Sequence, residues 1–104
     1  MKKFKFLAKS KIFQLPKGSG VYAFQKRVKL LYIGKAANIK ERVKNHFSQP
    51  AYRNNLFINR VSRIGYIKTD SEIEALILEA NLIKNISQNI MLFGETIKII
   101  FLSA

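Results

Sequence analysis

The chain contains no cysteine, and that absence alone removes disulfide frameworks, thiolate zinc sites and cysteine nucleophiles. It has one histidine, so a metal centre built from several imidazoles is excluded, and a Ser-His-Asp arrangement has little to draw on. Acidic residues are scarce. Six Asp and Glu stand against nineteen Lys and Arg, for a formal net charge of +13. Long hydrophobic runs are missing too: no apolar stretch approaches the roughly 18 residues that a membrane span needs. The opening "MKKFKFLAKSKIF" is basic and mixed, without the apolar core and cleavage site of a signal peptide. The expectation is a cytoplasmic protein with no membrane contact. There is no repeat or low-complexity linker, and 104 residues suit one domain spanning 1–104.

What the chain does have is positive charge, unevenly placed. Before Asp70 the only acid is Glu41, and the other five lie from Asp70 onward. A basic surface of this kind attracts polyanions over long range, nucleic acid first among them. Ribosomal contact and anionic membrane surfaces are rival partners, and basic composition also serves solubility.

Hydrophobic patterning gives an α/β fold: a small, mainly antiparallel β-sheet of about three strands flanked by helices. "GVYAF" (Gly20 to Phe24) and "LLYIG" (Leu30 to Gly34) read as a hairpin joined by about five residues. Period-2 alternation puts Tyr22 and Phe24 on one face, and Leu30 and Tyr32 on one face of the second strand. Asn38 with Glu41 three residues later resembles a capping box. Ile39, Val43 and Phe47 then mark a helix face bordered by Arg42 and His46, ending before Pro50. A short helix is expected over residues 54–62, a third strand in "RIGYIKT", and a helix capped by Asp70 or Ser71 that runs to about Asn85. Glu72 and Glu74 fall in its first turn, where acids favour the helix dipole. "TIKIIFLSA" is a possible last strand.

Few residues are left for chemistry. Two-metal phosphoryl transfer needs several convergent carboxylates. Glu41, Asp70, Glu72 and Glu74 already have structural explanations, and Glu95 lies in an irregular tail. Glu79 has none. Its helix neighbours are Ala75, Leu76, Leu82 and Ile83, and no lysine or arginine sits three or four positions away. Either Glu79 reaches the edge of the apolar stripe or something positive meets it from elsewhere. One carboxylate with waters and substrate phosphate is a reasonable Mg²⁺ site. Tyr22 and Tyr32 sit on neighbouring strands, with Lys35 just past a strand-end glycine. Each alone reads as packing or surface charge, as do Arg42, His46 and Asn81.

The combination resembles the GIY-YIG nuclease family. The resemblance runs through "GVY" and "YIG", with Tyr22 and Tyr32 ten residues apart, then Arg42 and His46 on one helix and Glu79 on a later one. More narrowly, "LPKGSGVYAF", "LYIGKAANIKERVKNHF" and "SEIEALILEANLIK" are similar to its UvrC branch, over residues 15–84. The motif-bearing core is about 15–91, and 92–104 is unassigned.

The resemblance implies a metal-dependent endonuclease domain acting on DNA. Glu79 would hold a single divalent cation, Mg²⁺ or Mn²⁺. Tyr22 would deprotonate or position the attacking water, with Tyr32 and Lys35 assisting. Arg42 would stabilise charge on the phosphate. His46 stands where the UvrC branch usually has tyrosine, and would act as base or hydrogen-bonding partner. Lys35, Asn38, Lys40 and Arg42 are the candidate DNA contacts. Other excision-repair proteins are implied partners, with the 3′-side incision as the implied step, if the chain is part of a longer protein. A small stand-alone relative is the other possibility.

Three positions depart from the family pattern. Ser19 replaces a proline, and Ala37 replaces a lysine. Counting without gaps, Met91 falls at the place of a late asparagine, with Asn89 two residues earlier. The rival functions are a nucleic-acid-binding module of the same fold without catalysis, and a basic structural protein of a ribonucleoprotein.

Overall fold

A computed structural model describes residues 3–27, 29–48 and 58–91. Four strands form one antiparallel sheet: β1 (Lys5–Ala8), β2 (Gly20–Lys26), β3 (Lys29–Ala36) and β4 (Arg63–Lys68), in spatial order β1-β4-β2-β3. Helix α1 (Ile39–Ser48) follows β3, and α2 (Glu72–Met91) follows β4. The small antiparallel sheet flanked by helices is the expected fold class, with one strand more than the pattern gave. That strand, β1, is four residues long and flanked by lysines, too short for periodicity to register. It lies at the sheet edge, where an exposed lysine such as Lys5 discourages further pairing.

The β2–β3 hairpin is tighter than a five-residue join. Lys26 pairs with Lys29, and Arg27 takes a left-handed φ of 56°. A bulge between Phe24 and Gln25 shifts the register, so that Phe24 faces Tyr32 while Gln25 faces Leu30. The extra residue resets the alternation. Leu31, not Leu30, therefore shares a face with Tyr32, and Leu30 packs on the opposite side. That corrects the simple period-2 reading.

The two faces differ. One carries Tyr22, Phe24, Leu31 and Tyr32 beneath Ile39 and Val43 of α1. The other carries Val21, Ala23 and Ile33 beneath Leu78, Leu82 and Ile83 of α2. Burying a large apolar side chain contributes about 1.5–3 kcal/mol, so the aromatic face holds the greater share of the core.

Helix α1 begins as expected. Asn38 Oδ1 accepts from the Glu41 N–H at 3.1 Å, while the Ile39 and Lys40 N–H groups donate to the carbonyls of Gly18 and Pro16. Its inward face differs from the expected one. His46 is 1% exposed, and Phe47 is only half-buried. His46 does not border the core; it enters it, because the rings of Tyr22, Phe24 and Tyr32 leave room for a planar polar group among them.

At α2, Ser71 rather than Asp70 is the cap: Ser71 Oγ accepts from the Glu74 N–H at 3.1 Å, and the Asp70 N–H donates to Glu74 Oε1. The helix continues past Asn85 to Met91. Of the helix expected over 54–62, the described part is a 3₁₀ turn at Ile58–Arg60, and the Ser62 N–H donates to Gln25 O instead. Residues 54–57 and the possible strand at 96–104 lie outside the described residues.

Candidate active site

The glycines of "GVY" and "YIG" set the geometry. A Cβ on Gly34 would meet Tyr22 Oη at 2.6 Å and Tyr32 Cε1 at 3.0 Å. A Cβ on Gly20 would strike the Ile67 carbonyl and the Ile39 side chain. Gly34 thus lets the Tyr22 ring lie flat across β3, with its hydroxyl over the backbone one residue from Lys35. Gly20 lets β2, β4 and α1 converge.

Tyr22, Tyr32 and His46 are brought together. The Tyr22 hydroxyl and His46 Nε2 share a buried hydrogen bond of 2.8 Å. The His46 ring lies 5.6 Å from that of Tyr22 and 5.1 Å from that of Tyr32, and the two phenol rings stack at 6.0 Å. Both tyrosines are 0% exposed, so this cluster is closed to solvent.

Lys35 and Arg42 form a second group at the C-terminal end of β3. Arg42 Nη1 donates to the Lys35 carbonyl at 3.2 Å, tying α1 to the strand end. Both line a small cleft of about 60 Å³ with Ala36, Ala37, Glu72 and Ala75. Alternation explains the split between the groups. Tyr32 and Gly34 face α1, whereas Ile33 and Lys35 face the α2 side.

Glu79 is half-buried on α2, four residues beyond Ala75 and therefore one turn along the same helix face. Leu76 is half exposed, while Leu82 and Ile83 are partly buried. Glu79 thus sits at the edge of the apolar stripe. It does not line the Lys35–Arg42 cleft itself. Glu72 does, a residue that reads in the sequence only as a first-turn acid. Its spacing of seven from Glu79, two turns on one helix face, is the signal that would have placed both toward the same side.

Asn38 and Lys40 line a different cleft, with Lys17, Glu41 and Lys44. Of the departures, Ser19 joins β2 to the end of β4, its Oγ donating to Thr69 O at 3.3 Å and its carbonyl accepting from the Thr69 N–H. Ala37 is exposed beside the Lys35 cleft. The side chains of Asn89 and Met91 lie outside the described residues. Among the described residues, no group of three or more His, Cys, Asp or Glu could hold a metal ion, and no helix is long and apolar enough to cross a membrane.

An antiparallel sheet between two helices, with paired strand tyrosines over a glycine and a cationic strand end, is the architecture of a GIY-YIG domain. Residues 18–89 match the family model described as the UvrC-like GIY-YIG domain, and the chain belongs to that family. The UvrABC system protein C of Borrelia duttonii is 49% identical over 75 residues, 70% of this chain and 12% of the relative. That of Fusobacterium nucleatum is 40% identical over 85 residues, 78% of this chain and 14% of the relative. The chain thus spans a small fraction of the length of these relatives. The crystal structure of the GIY-YIG N-terminal endonuclease domain of UvrC from Thermotoga maritima, bound to its catalytic divalent cation magnesium, superposes with a TM-score of 0.66. The two are 32% identical, and the match covers 74% of this chain and 86% of that one.

Proposed function

We propose that the chain is a divalent-metal-dependent DNA endonuclease domain of the UvrC type, hydrolysing a phosphodiester bond. The observation that carries this reading is the meeting of Lys35, Arg42 and the first turns of α2 at one strand end. There the Tyr22 hydroxyl sits over the adjacent Gly34. Cation, guanidinium and carboxylate face thereby share one strand end, with the phenol one residue away on the opposite face of the sheet.

The donor set fits Mg²⁺ or Mn²⁺. Mg²⁺ keeps most of its water and takes one or two carboxylates, and Glu79 offers one, with Glu72 two turns away on the same side. Glu79 would hold the ion, which when bound would stabilise charge on the reacting phosphate. The remaining work falls to this chain's own groups. Arg42 presents planar donors suited to phosphate oxygens, and its bond to Lys35 O fixes where that plane lies. Lys35 adds a mobile positive charge at the cleft mouth. Tyr22 holds or accepts a proton at Oη, with His46 Nε2 as its partner in that exchange. Tyr32 stacks against Tyr22 and keeps the phenol in place. Asn38 is engaged in capping α1, so Lys40 is the stronger DNA contact of the two.

The relatives' names place them in the UvrABC system. The matching role for this chain is the 3′-side incision in excision repair, in the cytoplasm and with the other proteins of that system. A second reading, a DNA-binding module that does not cleave, is favoured by the closure of the Tyr22–Tyr32 cluster. Nicking of supercoiled plasmid separates the two. Relaxation that requires added Mg²⁺ or Mn²⁺ and stops with chelator is expected. DNA retention in a gel shift with no nicking under either cation would leave only the binding module.

A further inference from the structure

The fold builds a second cationic site that the sequence does not announce. The segment from Pro16 to Gly18 is clamped onto the start of α1, where the Lys40 N–H donates to Pro16 O and the Ile39 N–H to Gly18 O, each at 3.0 Å. That clamp sets Lys17 against Lys40 and Lys44, which are four apart and so lie on one face of α1. The three lysines line a polar cleft of about 300 Å³ with Asn38 and Glu41, three positive charges against one negative. Lys17 and Lys44 are exposed, and Lys40 is half-exposed.

Ala37 lines the cleft at Lys35 and Arg42, and the next residue, Asn38, lines this one. Arg42 stands two residues from both Lys40 and Lys44, about half a turn round α1, so the two clefts flank the start of the helix from opposite sides. The three lysines form a basic track of their own. The helix's own amides contribute little to it. Ile39, Lys40 and Glu41 have their N–H groups taken by Gly18 O, Pro16 O and Asn38 Oδ1. An anion on the track is held by side-chain ammoniums, not by the helix end.

We propose that Lys17, Lys40 and Lys44 bind backbone phosphates of the same DNA that Lys35 and Arg42 hold, on the other side of the start of α1. The proposal rests on the reading of the chain as a DNA-acting domain, and extends its footprint from Lys40 to Lys17 and Lys44.

The test is binding of a fluorescent DNA duplex in chelator, so that affinity is read without cleavage. The double variant Lys17→Gln/Lys44→Gln is compared with Lys26→Gln/Lys29→Gln. The control pair is exposed at the hairpin turn, about 20 Å away along the strands, and carries the same change of charge. The track variant is expected to raise Kd about tenfold or more near 0.1 M salt, and to lower the slope of log K against log salt by about 1.8, two phosphates' worth. The control should stay within about threefold. Equal weakening by both pairs would reduce the effect to net charge and overturn the track, as would wild-type affinity in the first pair. Plasmid nicking run in parallel keeps the two readings apart. A wild-type protein that binds through the track but never nicks defeats the nuclease reading alone. A nicking protein whose affinity ignores Lys17 and Lys44 defeats the track alone.

Discussion

The two faces of the sheet treat polar groups in opposite ways. Under α1, Tyr22, Tyr32 and His46 are sealed among aromatic rings, and a 2.8 Å hydrogen bond links the first to the last. Under α2 the packing is aliphatic, and Glu79 lies half-exposed at the border, one turn from a cleft open at Lys35 and Arg42. The phenol–imidazole pair is thus part of the core, whereas the ionic groups are attached to its rim. Substitution on the first face should disturb stability and activity together. Substitution on the rim of the second should disturb activity alone.

Glu79→Gln is the sharpest test of that division. It should abolish nicking, by about 10³-fold if several kcal/mol of transition-state stabilisation are lost. Folding stability should move by no more than about 1 kcal/mol, as for a partly exposed polar residue. A large drop in Tm would place Glu79 inside the core and break the comparison. Tyr22→Phe comes next. About 10²-fold in rate is expected from losing a proton-handling group, with about 1–2 kcal/mol of stability, because His46 Nε2 is left buried without that bond. Equal rates for the variant and the wild type would confine Tyr22 to packing.

Gly34→Ala should cost about 1–3 kcal/mol through overpacking, since the new methyl meets the Tyr22 hydroxyl and ring. Denaturant unfolding measures it, and an unchanged midpoint would mean that the aromatic face yields more easily than its closure implies. The smallest effect belongs to the outer side of α2. Leu76→Ser, at a half-exposed position, should shift stability by about 0.5 kcal/mol or less and leave nicking unchanged.

Much of this was legible in the sequence. The hairpin, α1 with its Asn38 cap, the strand in "RIGYIKT" that is β4, and α2 all follow from periodicity and capping residues. The family resemblance named Tyr22, Tyr32, Lys35, Arg42, His46 and Glu79 together; the structure joins Tyr22, Tyr32 and His46 in one buried cluster and Lys35 with Arg42 at the end of β3, and leaves Glu79 at the edge of the apolar stripe of α2. Other features were not legible. Strand β1 has four residues and borrows its stability from β4. The bulge that separates Leu30 from Leu31 exists only because two strands differ in length between paired residues. The depth of His46 depends on rings contributed by β2 and β3, not on its place in α1.

The sequence by itself determined the charge balance, the elements and their caps, because these depend on residues within a turn or two of one another. It also excluded thiol and imidazole-cluster chemistry outright. Only the tertiary structure decided which groups share a site. Lys17 shares a cleft with Lys44, Tyr22 bonds to His46, and Glu72 shares a cleft with Lys35 across separations that no local period spans. Those meetings are set by strand register, by the bulge and by two glycines that let backbones approach. A contact between distant segments has no signature in either segment alone.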